Sequence, residues 1–334
     1  MNVRLRDIAD SVGVSVQVVS KVINGGDSNI GASPATRERI LAAADRLGYR
    51  RNAAGLALRT RSFGSVGLLL GDADQSVFMP QMMLAGLAAT LAEAGKTCTL
   101  MSVGQINAAT IAEHRLLNER LVDALILANV HDPPHDLTKA IRLLELPALW
   151  LHRDIRSNAV AFDERQATAD LMQHLIERGR RDIAFLDYHG PASSAPSARQ
   201  RLIGYEDACR RHRHRPRLLN QHRVERRDRA GHTRAWLLRD DAPDAVIVNS
   251  FSAAQVVLDV ALHCGVDVPG RIAIASFDNG SQATANAPAI TAAIMPERDL
   301  GRTAAEMALT LARKQRKRIP SRQLRCSLLI GGTS

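Results

Sequence analysis

Residues 3–24 contain polar side chains whose spacing suits them to hydrogen-bond the base edges of duplex DNA. On either side of Gly13, apolar residues recur at helical spacing: Leu5, Ile8, Ala9 and Val12, then Val16, Val19, Val22 and Ile23. Two short helices joined by a tight turn are typical of a helix-turn-helix, whose second helix contacts bases with its N-terminal half. Ser15 stands where the N-cap of that helix is expected. Gln17 can bond an adenine edge and Lys21 a guanine, so the pattern predicts a DNA reader.

The segment after this motif predicts a third helix. Ser33 and Pro34 have the residue types of an N-cap and a first helical position, and Gly48 is typical of a helix end. Along this helix charged and core positions are expected to alternate, at Arg37, Ile40, Leu41, Ala44 and Leu47. A three-helix headpiece over residues 1–51 is therefore expected.

Two motifs, D-I-A-x-x-x-G-V-S-x-x-x-V-S-x-V-x-N and T-R-x-R-I-L-x-A-A-x-x-L-G-Y-x-x-N, end at Asn24 and Asn52. They resemble the headpiece of the LacI/GalR (lactose-repressor) family. This resemblance implies DNA contacts from Ser15, Val16, Gln17, Ser20, Lys21, Asn24, Asn52, Leu58 and Arg59. The loop between the second and third helices is longer than is usual in the family, because residues 25–30 (GGDSNI) form an insertion.

Residues 52–64 are expected to link the headpiece to the rest of the chain. By resemblance, residues 52–59 (NAAGLALR) form a hinge helix that folds when two protomers dock in the minor groove. Leu58 would then wedge into a central base step, and Arg59 would lie against the groove. A plain linker is the alternative, because Arg51 replaces the usual proline and Gly55 lowers helix propensity.

From residue 65 onward, short apolar strands alternate with amphipathic helices, a pattern that predicts parallel sheets covered by helices. Strands are expected at 65–71, 97–103, 123–128, 147–152, 182–188, 244–249 and 271–277, with one last strand after Ile319. The resemblance implies an α/β periplasmic-binding-protein-like core of two parallel-sheet lobes over residues 65–334. Lobe one is expected at about 65–162 and 294–323, and lobe two at about 163–293 and 324–334.

Polar residues at strand ends are candidates for a small-molecule site, since ligands of open α/β sheets lie outside the carboxyl ends of the strands. The resemblance implies that Phe78, beside Val77, stacks on a ring. It also implies that Arg201 donates to vicinal hydroxyls and that Asp278 accepts from the ligand. Asn249, at the end of a strand, and Asp163, at the start of a helix, complete the effector-binding candidates. Taken singly, each has an ordinary structural alternative, such as core packing, an ion pair or a turn.

Composition and charge favour a nucleic-acid partner and give no sign of a membrane one. The net charge is +10, with ten Lys/Arg against five Asp/Glu in residues 1–61. A second surplus, ten Arg against two acids, lies in residues 210–234. We expect this second segment to be a solvated Arg-rich loop, with another nucleic-acid contact as the less favoured interpretation. No apolar run approaches the roughly 20 residues that span a bilayer, and no signal-peptide pattern is present.

The chain lacks the motifs of common enzymes: no G-x-S-x-G, H-E-x-x-H or Walker sequence is found. The four cysteines are scattered, which predicts reduced thiols in a cytoplasmic protein. No metal or cofactor is expected. The sequence therefore predicts a homodimeric transcription regulator, most often a repressor in this family, that binds a pseudo-palindromic DNA operator under the control of a sugar-like effector. A purine or nucleoside effector is the alternative within this class. A sugar-binding transport protein or a sugar-processing enzyme is the alternative outside it.

Overall fold

The computed structural model describes residues 3–24, 32–50, 62–70, 80–102, 121–128, 135–143, 145–192, 195–278, 287–313 and 318–334. The chain divides into two compact units, Met1–Phe63 and Gly64–Ser334. No helix in the described ranges is both long and apolar enough to cross a membrane.

The described part of the first unit is helical, with α1 (Leu5–Val12), α2 (Val16–Asn24) and α3 (Pro34–Arg46). Gly13 ends α1 in the left-handed conformation, at φ 73°, which glycine adopts without steric cost. The Ser15 hydroxyl accepts a hydrogen bond from the Val18 amide at 3.3 Å, so the predicted N-cap of α2 is confirmed. The predicted start of α3 is confirmed as well, because Ser33 Oγ accepts from the Thr36 amide at 3.2 Å.

The three helices enclose a small apolar core, which consists of Ile8, Ala9, Val12, Val19, Val22, Ile23, Ile40 and Ala43, together with partly buried neighbours. Two residues expected in the apolar pattern lie outside it: Val16 is 41% exposed and Leu41 is 47% exposed. Val16 occupies the first position of α2, at the end of the buried stripe. Leu41 follows Ile40 and is therefore rotated about 100° away from the core-facing side. Both exceptions follow from helix geometry.

The second unit contains two sheets. The first has the strand order β10-β5-β4-β3-β1-β2 and is parallel throughout. Its strands are β1 (Ser65–Leu70), β2 (Thr97–Ser102), β3 (Ala124–Ala128), β4 (Ala148–Leu151), β5 (Ala159–Phe162) and β10 (Arg322–Leu324). The second sheet has the order β11-β9-β8-β7-β6 and is parallel except for β11. Its strands are β6 (Ile183–Leu186), β7 (Ala245–Val248), β8 (Ala273–Asp278), β9 (Thr291–Ile294) and β11 (Ser327–Leu329).

Helices connect these strands, as the strand–helix alternation predicts. They are α4 (Gln81–Glu93), α5 (His135–Leu143), α6 (Glu164–Glu177), α7 (Pro196–His212), α8 (Arg229–Leu237), α9 (Phe251–His263) and α10 (Glu297–Ala312). Helices α4 and α10 pack closely because glycines lie at their contact. A Cβ atom on Gly86 would lie 2.1 Å from the Arg298 carbonyl oxygen, and one on Gly301 would lie 2.0 Å from that of Met83.

The seven strands expected upstream of residue 278 are confirmed, but the single strand expected after Ile319 is wrong. The tail forms two strands that belong to different sheets, β10 beside β5 and β11 antiparallel to β9. Arg325 and Cys326 lie between them, where the chain crosses from the first sheet to the second. Each strand has only three residues, too few for a periodicity that would separate them.

The expectation of a solvated loop over residues 210–234 is also wrong in part. Helix α7 extends to His212, a 3₁₀ turn covers Arg226–Asp228, and α8 begins at Arg229. Helix α8 is held by an inner face of Thr233, Trp236 and Leu237, which are buried. Most of the arginines remain exposed on the outer side, so the segment is structured but still strongly basic at its surface.

Candidate DNA-reading and effector sites

The N-terminal half of α2 presents the predicted reading face. Val16, Gln17 and Lys21 are exposed, whereas Val19, Val22 and Ile23 on the other side are buried in the headpiece core. A helix anchored along one side holds its outer side chains at fixed spacing, as base readout requires. Ser15 caps the helix and is exposed beside this face.

At the other end of α2, Asn24 is engaged within the helix. Its side-chain amide donates to the Ser20 carbonyl oxygen at 2.7 Å and to the Ser20 hydroxyl at 3.2 Å. Both residues are half-buried. A DNA contact by Asn24 would therefore use its side-chain oxygen. The DNA-binding roles of these residues stay predictions.

In the second sheet, three neighbouring parallel strands bring their carboxyl ends to one edge. Asn249 follows β7, Asp278 ends β8, and Met295 follows β9. The Met295 amide donates to the Asp278 carbonyl oxygen at 2.8 Å, which joins the last two ends directly. We call this place the polar edge. It lies where an open α/β sheet binds its ligand.

Arg201, from α7, lies against the polar edge and is 7% exposed. Its Nη1 donates to the Asn249 carbonyl oxygen at 2.5 Å, and its Nη2 lies 3.1 Å from Met295 Sδ. The guanidinium carbon is 4.1 Å from the centre of the Phe277 ring, a cation–π contact. The structure therefore brings together Arg201, Asn249 and Asp278, three of the sequence-predicted effector residues.

A residue that the sequence analysis did not single out neutralises Arg201. Glu164, the first residue of α6, is 5% exposed and accepts from Arg201 through both carboxylate oxygens, from Nε at 2.7 Å and from Nη2 at 3.1 Å. Such a bidentate pair fixes the plane of the guanidinium. The contacts with Glu164, Asn249 and Met295 occupy all but one of the five guanidinium N–H groups, so Arg201 has little donor capacity left for a ligand.

A second residue that the sequence analysis missed, Glu297, starts α10 beside the polar edge and is 7% exposed. Its Oε2 atom is buried and has no hydrogen-bond partner within the described ranges, and the same is true of Asn249 Oδ1. Burial, with the charge of nearby Asp278 in addition, raises the pKa of Glu297 to about 7. Glu164 lies two residues after β5 and Glu297 three residues after β9, and because neither strand was predicted, the sequence carried no signal for either acid.

Asp163 has a structural task in addition to any ligand contact. Its carboxylate accepts from the Gln166 amide at 3.1 Å and caps α6, so the expected helix start is confirmed. Asp163 and Glu164 also line a cavity together with His152, Phe162, Ser197 and Gln200. The effector-binding roles of Asp163, Arg201, Asn249 and Asp278 stay predictions.

Five further predicted site residues lie outside the described part of the chain: Asn52, Leu58, Arg59, Val77 and Phe78. The insertion 25–30 and the expected hinge over residues 52–59 lie outside it as well.

Comparison with known proteins agrees with this organisation. The family "Bacterial regulatory proteins, lacI family" matches residues 4–52, and "Periplasmic binding protein-like domain" matches residues 172–334. The catabolite control protein A of Priestia megaterium is 27% identical over 332 residues, which cover 94% of each chain. The lactose operon repressor of Escherichia coli K12 is 27% identical over 319 residues, covering 94% of this chain and 86% of that protein. The crystal structure of the Lac repressor dimer bound to operator and the anti-inducer ONPF superposes with a TM-score of 0.81 at 25% identity, covering 100% of this chain and 99% of that one.

These findings define a DNA-binding transcriptional regulator with a helix-turn-helix headpiece and a periplasmic-binding-protein-like core. The chain belongs to the LacI/GalR family. Its relatives are regulators and not enzymes, in agreement with the missing catalytic motifs.

Proposed function

We propose that the protein is a cytoplasmic, homodimeric repressor that binds a pseudo-palindromic operator under the control of a sugar or sugar-derived effector. The observation that carries the DNA-binding part is the exposed face of α2. Gln17 and Lys21 project from a helix whose opposite side is fixed in the headpiece core. Gln17 would read an adenine edge and Lys21 a guanine, with Ser15 and Ser20 positioning the helix on phosphates.

Two considerations support a dimer on a two-fold symmetric site. One headpiece reads a half-site only, so paired half-sites require paired protomers. The lactose operon repressor, with which this chain aligns over 94% of its length, has been crystallised as a dimer on its operator. By the same likeness, residues 52–59 would form the hinge helix, with Leu58 as a wedge in the minor groove.

The polar edge supports the effector part. Asp278 and Asn249 offer acceptors, and Arg201 keeps one N–H for a ligand hydroxyl. Effector binding between the lobes would change the spacing of the two hinge segments and thereby the affinity for DNA. A purine or nucleoside remains the alternative effector. A transport-type protein is not favoured, because the relatives that cover nearly the whole chain are regulators.

Selection of the purified full chain against a random duplex library tests the proposal. A two-fold symmetric site with a pyrimidine–purine step at its centre is expected, since Leu58 would unstack that step at least cost. A symmetric site without a central preference would leave the repressor proposal standing and contradict the hinge wedge. No enrichment, with or without added sugars and purines, would contradict a sequence-specific regulator.

A further inference from the structure

The polar edge holds hydrogen-bond acceptors for which the described residues supply no donor. Glu297 Oε2 and Asn249 Oδ1 are both buried and without a partner, and their residues are 7% and 9% exposed. A buried acceptor without a donor costs about 1–3 kcal/mol, and more when it is charged. Asn249 follows β7 and Glu297 lies three residues beyond β9, on either side of β8, whose last residue is Asp278. Two such acceptors at one ligand-binding edge indicate a missing donor.

Glu297 also brings to this edge a buried carboxylate that the described residues do not offset with a positive charge. It lies close enough to Asp278 for their charges to interact. Glu164 reaches the edge through Arg201, and each of these three acids is at least nine-tenths buried. The guanidinium of Arg201 is occupied by Glu164, which accepts from it with both carboxylate oxygens. Glu297 makes no ion pair within the described part of the chain. An ionised Glu297 would therefore carry a buried charge that no described residue offsets.

We infer that the effector carries a protonated amine, and that this amine is held at the polar edge between Glu297, Asp278 and the side-chain oxygen of Asn249. The inference rests on the proposed function and narrows its ligand class to a cationic amino sugar. An ammonium group has three N–H donors and no acceptor, which complements the oxygens of Glu297 and Asn249 that have no donor among the described residues. Its charge would offset the carboxylate of Glu297, for which the described part of the chain provides no cation.

Two other occupants explain the site less well. A metal ion would need more ligands than are present, because no cluster of three or more His, Cys, Asp or Glu suited to a metal occurs among the described residues. A neutral sugar hydroxyl could donate one hydrogen bond, but it would leave the charge of Glu297 uncompensated. Burial raises the pKa of Glu297 to about 7, as is expected of a carboxyl group that has no cation beside it among the described residues.

Matched ligand series test this inference directly. Calorimetric titration of the full chain at pH 7.5 would compare glucose, glucosamine and N-acetylglucosamine, together with the corresponding galactose and mannose series. The members of one series differ only at carbon 2, and the acetylated member keeps an N–H but loses the charge. In at least one series the amine is expected to bind about tenfold or more tightly than both neutral members.

Two variants connect the preference to the site. Glu297→Gln should reduce the preference for the amine by about tenfold, because it removes the charge and retains the size. Glu306→Gln is the matched control: Glu306 lies on the same helix, its side chain is 42% exposed, and it pairs with Arg302 at 3.2 Å. It should leave the preference unchanged.

The outcomes separate the inference from the proposed function. Equal or tighter binding of the neutral members overturns the inference while the sugar-responsive regulator stands. A preference for the amine that persists in Glu297→Gln overturns it as well, as does failure of every series to bind. Operator binding by the same preparations then shows whether the regulator proposal falls too.

Discussion

Replacing Arg201 by methionine should strongly destabilise the core of the protein. The guanidinium makes two hydrogen bonds to Glu164, at 2.7 and 3.1 Å, and one to the Asn249 carbonyl oxygen at 2.5 Å. Its removal leaves the carboxylate of Glu164, only 5% exposed, without a cation. Removing one partner of a buried ion pair costs about 3–5 kcal/mol. The cost lies near the lower end of that range when the remaining acid takes up a proton, because it is then no longer charged. We therefore expect about 3–5 kcal/mol of lost stability at pH 7.

A double-mutant cycle separates the ion pair from simple packing. The combined change Glu164→Leu and Arg201→Met removes both charges, so it should recover at least half of the loss caused by Arg201→Met alone. The control is Arg210→Met, since Arg210 pairs with Asp207 on the surface and its side chain is 77% exposed. Its cost should stay below about 0.5 kcal/mol.

Tryptophan fluorescence during urea unfolding is the appropriate assay. Both tryptophans of the chain, Trp150 and Trp236, lie in the second unit, so the signal reports the core and not the headpiece. A loss below about 1 kcal/mol for Arg201→Met would refute the reasoning. Additive losses in the double variant would refute it too, because independent costs mean that the two charges do not stabilise each other.

Three further predictions follow from the headpiece, the helix contact and the buried acid. Gln17→Ala should weaken operator binding by about 1–3 kcal/mol and relax the preference at one base position per half-site, which a repeated selection would show; equal loss on all sequences would assign Gln17 to phosphate. Gly301→Ala should destabilise the core by about 1–3 kcal/mol, because its Cβ would lie 2.0 Å from the Met83 carbonyl oxygen. Gly231→Ala, where nothing lies within 4 Å, should be neutral or stabilising in the same thermal unfolding assay; equal effects would contradict the close helix contact. Because the pKa of Glu297 is raised in the folded state, its proton favours folding, and stability should fall as pH rises from about 4.5 to about 7. Glu297→Gln should flatten that slope in urea titrations, and an unchanged slope would assign the pH dependence to other groups.

The sequence was most informative where many residues act together. Helical periodicity, Gly13 and two N-cap serines were sufficient to predict the headpiece, because its three helices are defined by local signals. Seven of the eight parallel strands up to residue 278 were predictable for the same reason, as apolar runs between amphipathic helices, whereas β5, with only four residues, was missed. Strands β9, β10 and β11 have three or four residues each, and their partners lie far away in the chain, so no local pattern could assign them to their sheets.

The candidate effector site was predictable only in part, since a sequence shows which polar residues follow strands but not which of them pair. Arg201 and Asp278 were predicted from the family resemblance and Asn249 from its place at a strand end, and the structure brings them together. The residues that form hydrogen bonds or ion pairs with them were not predictable, because these interactions join elements that are far apart in the sequence.

Glu164 and Glu297 illustrate why buried acids of functional interest escape sequence analysis. Each is the first residue of a helix, where a negative charge is favourable next to the helix dipole and therefore common on protein surfaces. In the sequence, a surface acid of this kind and a buried one look the same. In the structure they differ, because these helix starts meet the polar edge: Glu164 is satisfied by Arg201, and Glu297 by no described protein group. The dipole of the helix thus offsets part of the cost of burying such an acid. The rest of that cost is offset by a cation, which is Arg201 for Glu164 and would be the bound amine for Glu297.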